Sequence, residues 1–516
     1  MPQLPRTAAL VLLVAAAAEA QAPEVPAPLP ELGQPAALPD GAPPHLAKID
    51  RAELRTHAFW LADDARGGRH TASKGQQETA KYVADQWKKL GLKPLGDQKG
   101  YLQYYPLKRT ALDPATALTF GTTKVTADFA VLAPDAVKLA AGGKFVYCGN
   151  GAPDAIPDGL AGKLPYVVLQ GNAKSTGPGN DLQALQRYQQ IAAQLGKHGA
   201  SCGIVCLLGE VGSLGNLLNY RAVLPDHPRL AFGSDDRRRI DLAVPLVVLG
   251  PKPAALLLAH TGLDAEGTTT GKPTNDKAAG KLNLVVTQDD KATASNVVAV
   301  LEGTSKKNEA IVFSAHHDHV GRRLDGDAFN GADDNASGTA GLLEIAQAFA
   351  QGPKPERSIV FLSVSGEELG LWGSDWYGQH PTWPLERIVA DINIDMIGRA
   401  AGTAAAIELQ VTPSHQHDKY SSLVRDAVGL GAKFGVTFSS GDTYYARSDH
   451  FNFAKRGVPV VFFCDGEHPD YHMVTDTPDR LDYVKMEAIA RLAAWTGWQA
   501  ANAKGRPQEL GKQAAW

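Results

Sequence analysis

Ser314-Ala-His-His-Asp-His-Val-Gly321, or SAHHDHVG, puts three histidines and an aspartate in four consecutive positions directly after the apolar run Ala310-Ile-Val-Phe313. A short apolar run that breaks into polar residues reads as a buried strand ending in a loop. On a strand, alternate side chains face opposite ways, so His316 and Asp318 share one face and His317 and His319 share the other. Four adjacent ligand-type residues cannot all point at one centre. A lone histidine beside a core strand is ordinarily a core or turn residue, so the reading depends on partners elsewhere in the chain.

Working outward, the pattern of strand, loop and helix recurs from about residue 290. It runs through NVVAVLEG, AIVFSAHHDH, the helix SGTAGLLEIAQAFA, SIVFLSVSGEE, RIVADINIDMIG, a helix after His415, and VPVVFFCDG. This alternation predicts an α/β domain with a largely parallel central sheet covered by helices on both faces. In such sheets ligands bind beyond the carboxyl ends of the strands. The polar clusters sit at those ends: His316 and Asp318, Glu367 and Glu368, Asp395, and EHPDYHMVTDT after the last strand. Asp333 and Asp334 in GADDNASG stand before the first helix. Carboxylate and imidazole without thiolate suit zinc. Two histidines with three carboxylates are too many for one zinc, and fit two metals bridged by a carboxylate.

The rest of the chain bounds these expectations. At 516 residues two or more globular units are expected, and a net charge of −4 without a basic stripe argues against nucleic acid as a partner. No Gly-Lys pair precedes Ser or Thr, and no His-Glu-x-x-His helix occurs, which speaks against a phosphate loop and a single-zinc protease helix. Residues 1–22 read as an export signal, implying a periplasmic or extracellular location, and 23–45 as a proline-rich linker. No second stretch is long and apolar enough to span a membrane. Residues 46–125 begin the folded part. There Ser73 and Gln76 form a capping box for a helix whose stripe is Ala80, Val83, Ala84, Trp87 and Leu90, with Gly91 at its end. Residues 126–285 read as an inserted β-rich domain with one clear helix, LQALQRYQQIAAQLGKHG; 286–503 complete the first domain and 504–516 form a tail. Cys202 and Cys206 would be too far apart on a strand to bond to each other, which leaves disulfides and buried thiols both open.

SAHHDHVG, GADDNASG, SGEELGLWGS, NIDMIGR and HPDYHMVTDT, in that order, closely resemble the five metal-site motifs of the co-catalytic di-zinc exopeptidases of the aminopeptidase Y family (metallopeptidase family twenty-eight). That family also includes glutamate carboxypeptidases and glutaminyl cyclases. The resemblance covers roughly residues 50–125 and 290–500, and the inserted segment resembles a protease-associated domain. It implies two Zn2+ per chain: His316 and Asp395 on one, Glu368 and His472 on the other, with Asp334 as the bridge. It further implies Asp318 as the residue orienting His316, Glu367 as general base, Tyr471 as an oxyanion donor or else a packed aromatic, and a cis peptide at Asp334-Asn335. The activity implied is that of an exported aminopeptidase acting on peptides with a free N-terminus. A glutamate-type carboxypeptidase, with Arg399 and Arg447 as candidates for a basic pocket, and a glutaminyl cyclase are the alternatives. His317 and His319 are expected to be neighbours only, Asp449 and His450 structural or pocket wall, and His468 the rival of His472. Trp372, Tyr444, Tyr445 and Phe463 are candidates for an apolar side-chain pocket. Nothing in the sequence specifies an oligomeric state.

Overall fold

The computed structural model describes residues 31–133, 136–171, 178–209, 217–218, 221–225, 227–234, 240–263, 272–324, 326–399 and 407–516. The expected export signal, 1–22, and residues 23–30 of the linker lie outside the described residues. Four strands run parallel side by side in the order Arg357–Val364, Lys306–His316, Ile388–Ile394 and Val460–Cys464. Their apolar stretches, such as Ala310–Phe313, Ile359–Leu362 and Val460–Cys464, are continuous rather than alternating because both faces of the sheet are covered. Helices Arg51–Leu61, Gly338–Gln351 and Tyr483–Asn502 enclose a core with Phe313, Phe361 and Ile392 on one face. On the other face Val312 and Val360 meet Tyr377 and Phe453 from the short helices Trp372–Gln379 and His450–Ala454. Antiparallel strands flank the parallel four: Ala279–Leu301 beside Arg357–Val364, and Ile407–Thr412 beside Val460–Cys464.

A second sheet joins Phe129–Leu132, Leu246–Leu249, Gly203–Leu208, Leu164–Gln170 and the end of Val137–Tyr147. It has its own cores on its two faces, one with Tyr188 and Ile191 of the helix Pro178–Lys197, the other with Leu257 and Leu258 of the helix Pro251–Thr261. The long strand Ala279–Leu301 ties the two parts together: its first half pairs with Val137–Tyr147 and its second with Leu102–Leu112 and Arg357–Val364. All four cysteines are buried free thiols. Among the described residues no helix is long and apolar enough to cross a membrane.

The helix Lys74–Lys89 starts where the capping signal puts it, with Ser73 Oγ accepting from the Gln76 amide at 3.3 Å. The return half of the expected box differs. Gln76 Oε1 accepts from Ala72 instead of Ser73, and its Nε2 lies 2.8 Å from His317 Nε2, so this side chain docks the helix onto the histidine-rich loop. Arg69 does the same from the preceding turn. Fully buried, it donates to the carbonyls of His317, Leu61, Asn330 and Gly331 at 2.6 to 3.0 Å. Burial lowers its pKa to about 10, against the pull of Asp334 and Asp318, so it remains charged at neutral pH. One planar fork thus holds three separate segments around the ends of the strands.

Arg69→Met strands four buried carbonyls. It is expected to cost roughly 3–5 kcal/mol in urea unfolding, with Arg69→Lys recovering only part because an ammonium cannot reproduce the fork.

Candidate metal centre

Sheet register decides which loops meet. His316 pairs with Val364, and Ser314 with Asn393, so His316, the Ser365–Glu368 turn and Asp395 emerge at one edge. Ahead of the helix Gly338–Gln351, residues Ala332–Ser337 form one wide turn, and the Asp334-Asn335 peptide is cis. Gly331 allows this turn: its φ is +54°, and a Cβ there would come within 2.2 Å of the Asp334 carbonyl and 2.4 Å of the His319 ring. Behind the turn the buried Asp476 carboxylate accepts from the amides of Asp333 (3.0 and 3.1 Å) and Asp334 (3.2 Å).

Asp334 lies between two groups of side chains. Its Oδ1 is 3.2 Å from His316 Nε2, which is also 3.2 Å from Asp395 Oδ1. Its Oδ2 is 3.0 Å from His472 Nε2, which is 3.1 Å from Glu368 Oε2. Two sets of ligand-type atoms, each compact enough for one ion, therefore share Asp334. Glu367 stands beside them with Oε2 4.0 Å from His316 Nε2. Asp318 Oδ1 is 3.7 Å from His316 Nδ1 and accepts from the Glu367 amide at 3.2 Å, while Thr71 donates to Oδ2 at 2.8 Å. His472 sits at φ +54°, an uncommon conformation for a side-chain-bearing residue and one that clusters at functional sites.

The structure departs from the alternation argument at His319. The strand ends at His316, so the next residues follow a loop and not a pleat. His319 turns inward, with Nδ1 2.6 Å from Glu368 Oε1 and 3.9 Å from Asp334 Oδ2, and belongs to the second group of ligand-type atoms. His317 stays a neighbour, between Gln76 and Ser363 Oγ (2.9 Å), and burial lowers its pKa to about 4. His468 is directed elsewhere: its Nε2 is 3.3 Å from Asp333 Oδ2, and His472 is the histidine that reaches Asp334 and Glu368. Thr71, Ser448 and Asp476 had no distinguishing sequence signal. Ser448 Oγ donates to Asp395 Oδ2 at 2.8 Å and receives the Asn393 amide at 2.8 Å. Asp449 and His450 are buried off the ligand groups, and His450 stacks on Phe462.

The side-chain pocket reads differently from expectation. Phe463 faces the main core, and Trp372 is buried with Tyr105, Leu107 and Leu230, stacked on Phe232. Tyr445 lies against His417. Of the four candidates Tyr444 alone joins the apolar cluster next to Asp395, formed with Met396, Phe462, Cys464 and Tyr471. Arg399 is committed to Asp470, with Asp476 at 3.7 Å, and Arg447 to Glu467 at 2.6 Å, its Nη2 being 3.5 Å from the Tyr471 hydroxyl.

Four carboxylates buried together would repel one another. Burial raises the pKa of Asp395, with His316 opposing it. Burial works against Asp334 too, but its hydrogen bonds to His316 and His472 hold it well below the carboxylate range. Burial and Asp334 push Glu368 up, yet His472 and His319 outweigh them and bring it to about 2. Burial, and then the carboxylates of Asp334 and Glu368, raise Tyr471, which keeps its hydroxyl proton as a donor. Carboxylates and imidazoles, buried or partly buried, in two groups with one shared member are a donor set for two zinc ions bridged by Asp334.

Zinc titration of the metal-free protein is expected to give two ions per chain. His472→Ala loses one of them, His468→Ala keeps both, and Asp318→Asn weakens binding by about 10- to 100-fold; metal analysis after dialysis reads each outcome.

Residues 296–496 match Peptidase family M28. Aminopeptidase YwaD of Bacillus subtilis (strain 168) is 26% identical over 230 residues, which are 43% of this chain and 48% of that protein. A probable leucine aminopeptidase of Trichophyton verrucosum is 30% identical over 216 residues, 40% of this chain and 57% of its own length. The chain thus spans about half the length of these curated relatives. BSAP, a zinc aminopeptidase from Bacillus subtilis, has the same fold, with a TM-score of 0.55 at 18% identity over 90% of this chain and 98% of that one. The segment that matches Peptidase family M28, residues 296–496, contains every residue of both ligand groups.

Proposed function

We propose that the chain is a zinc-dependent aminopeptidase that hydrolyses the first peptide bond of substrates with a free N-terminus. The observation that carries this reading is the sharing of Asp334 between the His316/Asp395 and Glu368/His472 groups, with Glu367 Oε2 4.0 Å from His316 Nε2. Zinc bound there supplies Lewis acidity, lowering the pKa of a water and polarising the scissile carbonyl. The chain's own groups do the rest. Glu367 takes the proton from the attacking water and delivers it to the leaving amine. Burial pushes its pKa well above the carboxylate range despite His316, and Glu368 and Asp395 add to the rise, which makes it a stronger base near neutrality. Activity then rises with pH as Glu367 deprotonates. Tyr471 directs its hydroxyl at the developing oxyanion, and Asp318 holds His316 in orientation.

The ion pairs of Arg399 with Asp470 and of Arg447 with Glu467 favour an aminopeptidase over a glutamate-type carboxypeptidase, because each guanidinium already faces a carboxylate of the chain itself. The same reading takes residues 1–22 as an export signal and 126–285 as an inserted protease-associated domain. The separate sheet and cores of that segment support the division, although a boundary at residue 285 falls inside the continuous strand Ala279–Leu301.

An unblocked leucyl chromogenic amide should be cleaved and its N-acetylated twin left intact, with chelation abolishing activity and zinc restoring it. Cleavage of a blocked C-terminal glutamate dipeptide instead would replace this reading with a carboxypeptidase. Glu367→Gln is expected to lower kcat by about 10²–10⁴ while both zinc ions remain bound.

A further inference from the structure

We infer that His319 is a positioning residue for the Glu368/His472 metal: its Nδ1–H hydrogen-bonds Glu368 Oε1 and leaves Oε2 as the single oxygen offered to the ion. This rests on the reading of the centre as a zinc site. Two ligand atoms about 2.0–2.1 Å from a tetrahedral zinc lie roughly 3.3 Å apart. The contacts of His316 Nε2 with Asp334 and Asp395 (3.2 Å each), and of His472 Nε2 with Asp334 and Glu368 Oε2 (3.0 and 3.1 Å), have about that spacing. The His319 Nδ1 contact with Glu368 Oε1, at 2.6 Å, does not; it is a hydrogen-bond distance. His319 thus stands among the ligand-type atoms without the separation of a ligand.

The ring is held for this task. It is fully buried, its backbone amide donates to Arg69 O at 3.2 Å, and it meets the His472 ring edge-on at 5.4 Å. The missing side chain of Gly331 makes room for it. Among the described residues Nε2 is buried without a hydrogen-bond partner, and Nδ1 is the ring nitrogen that faces Glu368 Oε1, where a donor is needed. The other group repeats the device: Asp395 faces His316 with Oδ1 while Ser448 Oγ caps Oδ2. Each terminal carboxylate is thereby kept to one metal-facing oxygen, and His319 fills on one side the role that Ser448 fills on the other.

The test compares His319→Asn, whose amide nitrogen can occupy the place of Nδ1, with His319→Leu and His319→Gln. Zinc affinities are read by competition with a chromophoric chelator, and the cobalt-substituted proteins by their absorption spectra. His319→Leu and His319→Gln should lose about 10- to 100-fold in affinity at one site only, with a changed cobalt spectrum, while His319→Asn stays near wild type. The inference falls if His319→Leu binds both ions as wild type does, if both sites weaken equally, or if His319→Asn loses as much as His319→Leu, which would make His319 a ligand. Should His319→Leu fail to fold, the Asn and Gln variants decide alone. A wild-type chain that binds no zinc overturns the metal reading itself, and this inference with it.

Discussion

Four carboxylates, those of Asp334, Glu367, Glu368 and Asp395, are buried side by side at the carboxyl edge of a parallel sheet. In a low-dielectric interior such a group destabilises the fold unless positive charge enters it or some of the carboxylates take up protons. Much of the surrounding structure answers that constraint. His316 and His472 lie between the carboxylates at hydrogen-bond distance, and the donor set still suits two divalent cations. The sheet can bear this load because its two apolar cores, one on each face, hold the strand ends rigidly in register.

Support for the ligands comes largely from groups that never face the cations. Arg69 gathers the carbonyls of three segments, Asp476 holds the turn that presents Asp334, and Thr71 and the Glu367 amide fix the two oxygens of Asp318. Ser448 and His319 occupy the second oxygens of Asp395 and Glu368. Orientation of a metal ligand by hydrogen bonds to its far atoms is a general requirement of such centres. In this chain the partners come from segments separated by up to some hundreds of residues, which is why their loss would act through geometry and not through charge count.

Among the described residues, Phe232 and His227 of the segment 126–285 touch the surroundings of the centre. Phe232, next to the strand Arg229–Ala231, packs on Trp372 and Trp376 just beyond the Glu367–Glu368 turn, and the His227 ring lies tilted against that of His70, beside Thr71. A segment with its own sheet thus touches the loops that hold Asp318 and Glu367, and its described residues supply no ligand-type atom to either group.

The parallel strands were legible because residues buried on both faces produce continuous apolar runs, and His316, Glu368 and Asp395 because they stand where such runs end, while Asp334 precedes a helix and His472 lies in the loop after the last strand. The helix start at Ser73 was legible for a similarly local reason: a capping residue acts on amides two or three positions away. Three things were not. The role of His319 turned on the strand stopping at His316, and an alternation argument is valid only while the pleat continues. Phe463 and Trp372 were indistinguishable from pocket aromatics until the sheet assigned them a face. Thr71, Ser448 and Asp476 are common residue types whose acceptors and donors are distant in sequence. By itself, then, the sequence determined the fold class through local pattern, and through its resemblance to the di-zinc exopeptidase motifs it named the ligand-type residues His316, Asp334, Glu368, Asp395 and His472 but not His319. Tertiary structure alone decided which atoms of those residues face one another, because that depends on strand register and on hydrogen bonds closed across long stretches of chain.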